Sequence, residues 1–395
     1  MSPRALALVD GEHYPAVVRD ALVQLPYEFV GAVLVGGTEK LRGDDRDYGV
    51  PLAESVEAGI ESHRPEIVVD LSDEPVLGPV ERFALASRVL LLGIPYAGAD
   101  FRLDPPHLEP FALPSIAVAG TGKRVGKTAL TGHLARLVSE SRRVVVVAMG
   151  RGGPREPEVV GVRPTVEELV ALSRVGRHAA SDHLETAALV GVETVGCRRC
   201  GGGLAGAPFA SNVAEGAEVA ASLSPELVIF DGSGAAIPPV AVGARVLVAH
   251  DVASGLNPYR VLISDLVLTM HDDVADAAGA LTGAPVLRFD LRLRPSEALT
   301  GRRTAVFTTG PAPVDHLDAD VVHVSRNLAR RDALRAELEG LAAEVFLVEV
   351  KAAAIDVVAE AALERGIRLV LADNEVVAEG LDEALLSLVP AGAKV

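Results

Sequence analysis

Short apolar runs rich in β-branched residues recur along this chain at nearly even spacing, with amphipathic stretches between them. ALALVD, FVGAVLVG, EIVVDLS and SRVLLLGI come first; SIAVAG, RRVVVVAM, ELVIFD, ARVLVAH, DLVLTM and PVLRFDL follow; TAVFTTG, DVVHVS, AEVFLVEV and RLVLAD close the series. Runs that are apolar throughout, not alternating, predict strands buried on both faces. Amphipathic segments between them predict covering helices, hence an α/β fold of three-layer parallel sheets. The stretch LARRDALRAELEGLAAEV has the alternating charge of an ordinary solvated helix face.

Two breaks divide this pattern. RLDPPHLEPFALP (102–114) is proline-rich with little periodicity and reads as a linker, and LRPSEALTGRRTA (293–305) marks a second break. The expected organisation is an N-terminal α/β domain over 1–110, a central domain over 111–300 and a small C-terminal α/β domain over 301–395. Neither a fixed-period repeat nor a low-complexity tract is present.

Composition narrows the function. The 395 residues carry a formal net charge of −17, aromatics are 4% and there is no Trp. Base-stacking nucleic-acid binders need aromatic platforms and a basic face, so no nucleic-acid partner is expected. The start MSPRALALVDGEHYP meets charge too early for a secretory apolar region. No apolar run reaches the roughly 18 residues that span a bilayer. A cytoplasmic protein with no membrane partner is the expectation.

Against that acidic background, GTGKRVGKT concentrates three glycines and three cations between Gly120 and Thr128. SIAVAG before it reads as a strand, and KTALTGHLARLVSE after it as a helix. Strand, glycine loop and helix start are the context of a phosphate-binding P-loop: backbone N–H groups and the helix terminus face an anion, and glycines permit close approach. Gly120, Thr121, Gly122, Lys123, Arg124, Val125, Gly126, Lys127 and Thr128 are therefore the candidate nucleotide-binding residues. Lys127 would reach the β- and γ-phosphates of ATP, and Thr128 would place its hydroxyl on Mg²⁺. The usual first glycine of the motif is Thr121 here, so the loop is a variant. In SPELVIFDGSGAAIPP, an apolar strand ends at Asp231, whose carboxylate is the second candidate for Mg²⁺.

Further candidates follow other strands. In VVVVAMGRGGPREPEVV, glycines and Pro154 forbid a helix, while Arg151 and Arg155 offer two guanidinium forks for a small anionic phosphorylated substrate beside the nucleotide, or else meet solvent. Asp10, Glu12 and His13 in LVDGEHYPAVVRDAL, with Lys40 and Arg42 in VLVGGTEKLRG, would lie on one edge of a parallel N-terminal sheet as a second polyanion pocket. The pair Cys197 and Cys200 in VGCRRCGGG reads either as a flexible glycine loop or as half of a four-sulfur metal site completed in a homodimer. Asn327, Asp373 and Asn374 end apparent strands and are candidates for contact with a base. Lys123, Lys127, Arg151, Arg155 and Asp231 form the candidate catalytic set.

The loop GTGKRVGKTAL resembles the variant P-loop of the dethiobiotin synthetase and cobyrinate amidase group. ALVDGEHYPAVVRDAL, GTGKRVGKTAL, MGRGGPREPEVV and DGSGAAIPPV together resemble the cyclic 2,3-diphosphoglycerate synthetase family over most of the chain. That resemblance implies an ATP-dependent ligase closing 2,3-bisphosphoglycerate into its cyclic pyrophosphate with release of ADP and phosphate. It implies nucleotide and Mg²⁺ at Lys127, Thr128 and Asp231, and substrate near Arg151 and Arg155. Two other readings stay open: a phosphoglycerate-type kinase that stops at the first transfer, and a P-loop switch or metallochaperone using the cysteine pair.

Overall fold

The computed structural model describes residues 2–38, 47–161, 164, 165, 168, 169, 171, 172, 182–310, 313–349 and 355–390. Mostly parallel sheets covered by helices account for the apolar runs, which makes the chain a mixed α/β protein.

The first sheet holds β1 (Arg4–Val9), β2 (Glu28–Leu34), β3 (Leu52–Ala53), β4 (Ile67–Asp70), β5 (Tyr96–Ala97) and β6 (Arg102–Leu103), in the order β3-β2-β1-β4-β5-β6. All its pairings are parallel except β5 with β6. Helices α1 (Pro15–Gln24), α2 (Val56–His63) and α3 (Pro79–Leu91) connect the strands. The run SRVLLLGI was expected as a strand but lies mainly in α3. Pro at the helix start and burial of Ala86, Ser87, Val89 and Leu90 on one face explain why: a short apolar run reads alike in strand and buried helix.

The second sheet is the largest among the described residues. It holds β7 (Ser115–Gly120), β8 (Val144–Gly150), β9 (Glu158–Val160), β10 (Glu193–Cys200), β11 (Ala210–Ser211), β12 (Leu227–Asp231), β13 (Ala244–Ala249), β14 (Leu266–Thr269) and β15 (Val286–Arg288). The main path runs β11-β10-β8-β12-β7-β13-β14-β15, with β9 antiparallel on β10. From β10 to β15 every pairing on this path is parallel. Helices α4 (Lys127–Ser139), α5 (Asp182–Val190), α6 (Val213–Ser222), α7 (Asn257–Leu262) and α8 (Asp272–Leu281) cover it. Every residue of β7, β8 and β12 is buried, as strands covered on both faces require. The stretch VGCRRC, expected as a loop, belongs to β10 and pairs with β8 from Glu193 to Arg198.

The third sheet holds β16 (Asp290–Pro295), β17 (Arg303–Phe307), β18 (Asp320–Ser325), β19 (Val345–Glu349) and β20 (Arg368–Val377), in the order β16-β20-β19-β17-β18. It opens at Asp290, ahead of the expected division at 300/301. β16 pairs antiparallel with the distant β20, a long-range match that no local break in the sequence announces. Helices α9 (Arg331–Leu338), α10 (Ile355–Arg365) and α11 (Leu381–Leu388) complete this unit.

The sheets pack against one another. Leu90 and Tyr96 of the first unit share one core with Val252, Leu256 and Tyr259 of the second. Val376, Leu381 and Leu385 of the third share another with Leu130 and Leu134 of α4. No described helix is long and apolar enough to cross a membrane.

Candidate functional site

The loop expected to hold phosphates joins β7 to α4. Gly126 precedes the helix in a left-handed conformation at φ +102°, where an L side chain is strained. A Cβ there would also stand 3.1 Å from the Phe289 ring. Val125 is 3% exposed and packs into the core beneath α4, so it anchors the loop from below while Lys123 and Arg124 are exposed. Lys127 is largely buried, and its Nζ donates to Gly122 O at 3.4 Å, across the loop. A Cβ on Gly120 would crowd Lys127 Cδ at 2.7 Å.

Thr121 explains the variant motif. Its Oγ1 accepts from His250 N at 2.9 Å and from Asp251 N at 3.4 Å. A glycine at this place would lose both of these bonds and keep only the backbone bond from residue 121 N to Val248 O at 3.2 Å. The Thr128 side chain is half-buried at the start of α4. One turn later, Thr131 Oγ1 donates to Asp231 Oδ1 at 3.1 Å across the β7–β12 boundary. Asp231 itself is 2% exposed. Thr131 was not singled out in the sequence. Its signal was its place three residues after Thr128, on the same helix face.

The segment after Asp231 is held from both sides by buried arginines. Arg199 Nη2 donates to Ser233 O at 2.8 Å, and Arg260 Nε donates to Ala235 O at 2.9 Å. Arg260 also donates to Leu256 O at 3.1 Å, and burial lowers its pKa to about 10. Arg151, at the end of β8, turns toward the same segment. A Cβ on Gly234, whose φ is +61°, would lie 2.6 Å from Arg151 Nη2 and 3.4 Å from Arg199 Nη2. Arg155 is exposed on the next turn. Asn212 latches this turn to β10: its Oδ1 accepts from Arg198 N at 2.7 Å, and its Nδ2 donates to Pro154 O at 3.3 Å and Arg155 O at 3.1 Å. Arg199, Asn212 and Arg260 were not named as site residues in the sequence.

The P-loop, Asp231 and Arg151 thus end three adjacent strands, β7, β12 and β8. Neighbouring strands stand about 4.8 Å apart, so the strand that leads to the loop and the strand that leads to Arg151 lie about 10 Å apart, with the Asp231 strand between them. Ligands of open parallel sheets bind beyond the carboxyl ends of the strands.

The cysteine pair takes neither expected form. Strand alternation puts Cys197 and Cys200 on opposite faces of β10, one buried and one exposed, so the two thiols do not converge on one ion. Burial, with the Glu215 charge adding to it, pushes the Cys197 thiol up to about 12. In the first unit, Asp10 has no exposed surface. It accepts from Asp73 N at 2.7 Å, His13 Nδ1 at 2.7 Å, Glu12 N at 3.0 Å and His13 N at 3.2 Å. The sequence placed Asp10 against substrate; its carboxylate instead faces inward and organises the turn. Burial opposes its ionisation, but the hydrogen bonds from Asp73 and His13 outweigh that and hold its pKa below the usual carboxylate value. Glu12 and His13 are partly exposed beside it. Lys40 and Arg42 lie outside the described residues.

Asp373 and Asn374, candidates for a base contact, are taken up inside the protein. Asp373 Oδ2 accepts from Arg136 at 2.7 Å and Arg294 at 3.4 Å, and Asn374 Nδ2 donates to Glu349 Oε1 at 2.7 Å. Asn327 is bound to Glu337.

Three family models match: the N-terminal domain of cyclic 2,3-diphosphoglycerate synthetase over residues 4–104, its P-loop domain over 115–279 and its C-terminal domain over 295–375. A cyclic 2,3-diphosphoglycerate synthetase from Rubrobacter xylanophilus is 49% identical, covering 99% of this chain and 98% of that one. One from Thermococcus gammatolerans is 43% identical over 97% and 96%, and one from Methanothermus fervidus 37% over 94% and 92%.

Proposed function

From the premise that this chain belongs to the cyclic 2,3-diphosphoglycerate synthetase family, we propose that it closes 2,3-bisphosphoglycerate into a cyclic pyrophosphate with ATP, acting as a ligase. The observation that carries the reading is the alignment of the P-loop, Asp231 and Arg151 at the ends of adjacent strands.

The P-loop supports binding of ATP, with Lys127 directed at its terminal phosphates. One acceptor phosphate oxygen attacks the γ-phosphorus in line; the bond from that phosphorus to the β-bridging oxygen breaks, and ADP leaves. The neighbouring phosphate of the same acceptor then attacks the inner phosphorus of the new diphosphate. The ring closes and inorganic phosphate departs.

Positioning and charge supply most of the rate in such transfers. Like charges 4 Å apart repel by about 4 kcal/mol at an effective dielectric of about 20. Lys123, Lys127, Arg151 and Arg155 are the residues that would offset this repulsion between acceptor and nucleotide. Ring closure is intramolecular, so a held geometry replaces roughly 7–11 kcal/mol of barrier. Glu12 and His13 belong to this reading as substrate-side residues of the N-terminal unit.

Thr128 and Asp231 are an all-oxygen donor set suited to a hard divalent cation. Mg²⁺ bound there would neutralise charge developing between the β- and γ-phosphates.

Phosphorus NMR of the protein incubated with ATP and 2,3-bisphosphoglycerate tests the function: a cyclic pyrophosphate signal is expected, with one ADP and one phosphate formed per ring. Consumption of 2-phosphoglycerate with no cyclic product under any condition would replace the cyclase with a kinase. Arg151→Ala is expected to raise the acceptor KM by about tenfold or more, the loss of one charge-assisted contact, with the ATP KM little changed.

A further inference from the structure

We propose that Arg199 joins Arg151 in a subsite for the acceptor phosphate farther from ATP, and that this pair selects a bisphosphate over a monophosphate. The proposal rests on the cyclase reading and assigns a role to a residue outside the P-loop and its neighbouring turns.

Arg199 stands on β10, one strand beyond β8, which Arg151 immediately follows. It is 9% exposed. Its Nη1 donates to Gly201 O at 2.5 Å and its Nη2 to Ser233 O at 2.8 Å. Its Nε is buried with no hydrogen-bond partner among the described residues. An unmade bond from a buried charged group is costly, and here the group belongs to a guanidinium beside a second guanidinium. Both forks reach one point above Gly234. Arg151 is exposed and makes no ion pair among the described residues.

Two cations gathered at one point repel each other, and backbone carbonyls offset only part of that. Consistently, burial and then the nearby Arg151 make Arg199 easier to deprotonate, while Asp182 works the other way. A doubly charged phosphate placed between the forks turns the repulsion into attraction. Placement agrees with this use. β8 and β10 lie two and three strands from β7, about 10 and 14 Å at ordinary strand spacing. A nucleotide on the P-loop therefore leaves the far end of the acceptor beside Arg151 and Arg199. Gly234 keeps the approach clear, because a side chain there would fill the meeting point of the two forks.

The test is calorimetric binding of 2,3-bisphosphoglycerate, 2-phosphoglycerate and 3-phosphoglycerate to the wild-type chain and to Arg199→Gln. Wild type is expected to prefer the bisphosphate. Arg199→Gln is expected to lose about ten- to a hundredfold in bisphosphate affinity and much less for the monophosphate that does not reach the subsite, with ATP affinity retained and the melting temperature lowered by the loss of its bonds to Gly201 O and Ser233 O. A merely structural arginine would weaken all three ligands together, or ATP with them; that pattern overturns the proposal, as does unchanged bisphosphate affinity. Arg199→Lys keeps the charge and removes the fork, and serves where the glutamine variant does not fold. It should recover part of the selectivity, and wild-type selectivity in it would equally overturn the role of the fork. Failure of the cyclase reading shows up separately, as a wild-type phosphorus spectrum without cyclic product while the binding selectivity stands.

Discussion

Lys127 lies across its own loop, largely buried and bonded to Gly122 O, so its charge is held where terminal phosphates would sit. Replacing it with alanine is expected to lower kcat by about 10²- to 10³-fold, the cost of removing one preorganised electrostatic contact. Calorimetry should show acceptor binding unaffected, since the residue serves the nucleotide. The cysteines give a second prediction at this scale. Cys197 is buried with its thiol pushed up to about 12, whereas Cys200 is exposed. The thiolate is the reactive form. A thiol reagent near pH 8 should therefore modify one cysteine per native chain, and Cys200→Ser should abolish that reaction until the protein unfolds. Asp10 links charge to stability. Its folded pKa is depressed, so its contribution is complete above the ordinary carboxylate pKa of about 4 and disappears as pH falls through the lower folded value. Acid titration of Asp10→Asn should accordingly show a shallower loss of stability below about pH 4 than wild type. Lys127, Thr128 and Asp231 were legible from local sequence because a P-loop is a local object: strand, glycine turn and helix start in unbroken order. Arg199 was not legible. Its sequence neighbours are an arginine, cysteines and glycines, and its setting comes from the Ser233 carbonyl and Arg151, which follow other strands.

Among the elements, β10 carries most of what the sequence left hidden. Its second half is polar and glycine follows it, which reads as a loop; pairing with β8 and a covered face make it a strand. The turn after β8 then depends on β10 through Asn212, which reaches Arg198 N, Pro154 O and Arg155 O. Asn212→Ala should raise the acceptor KM severalfold with the ATP KM unchanged, because it frees the arginine turn and leaves the P-loop alone. Each lost hydrogen bond is worth about 1 kcal/mol net, so melting should also fall, by about 2–4 °C per kcal/mol for a unit of this size. A drop in melting temperature without any change in acceptor KM would show that the latch serves stability only. The strand expected at SRVLLLGI illustrates the opposite error: its apolar length fitted a strand, and only burial on one helical face decided for α3.

In the whole molecule, the third sheet rests on the helix that opens at the P-loop. Arg136 of α4 and Arg294 of β16 share Asp373 of β20, and His133 of α4 meets Asp382 at 2.6 Å. Asp373 is nearly buried. Asp373→Ala would leave two guanidiniums facing each other, and removing one partner of a buried pair costs about 3–5 kcal/mol. Arg136 and Arg294 keep some solvent contact, which puts the expected loss near the lower end. Denaturant titration measures it, and an unchanged midpoint would remove this contact from the account of how the third unit is held.

By itself, the sequence determined the α/β class, the P-loop with its lysine and threonine, the carboxylate at the end of the Asp231 strand and the family resemblance, because each of these is written in consecutive residues or in the period of apolar positions. The tertiary structure alone decided which strands became neighbours. It turned Asp10 inward, parted the two cysteines across β10, assigned Asp373 to an internal contact and brought Arg199 beside Arg151. The physical reason is that parallel sheets are assembled from segments far apart in the chain: backbone pairing and burial choose the neighbours, and those neighbours set the charge and exposure of each side chain.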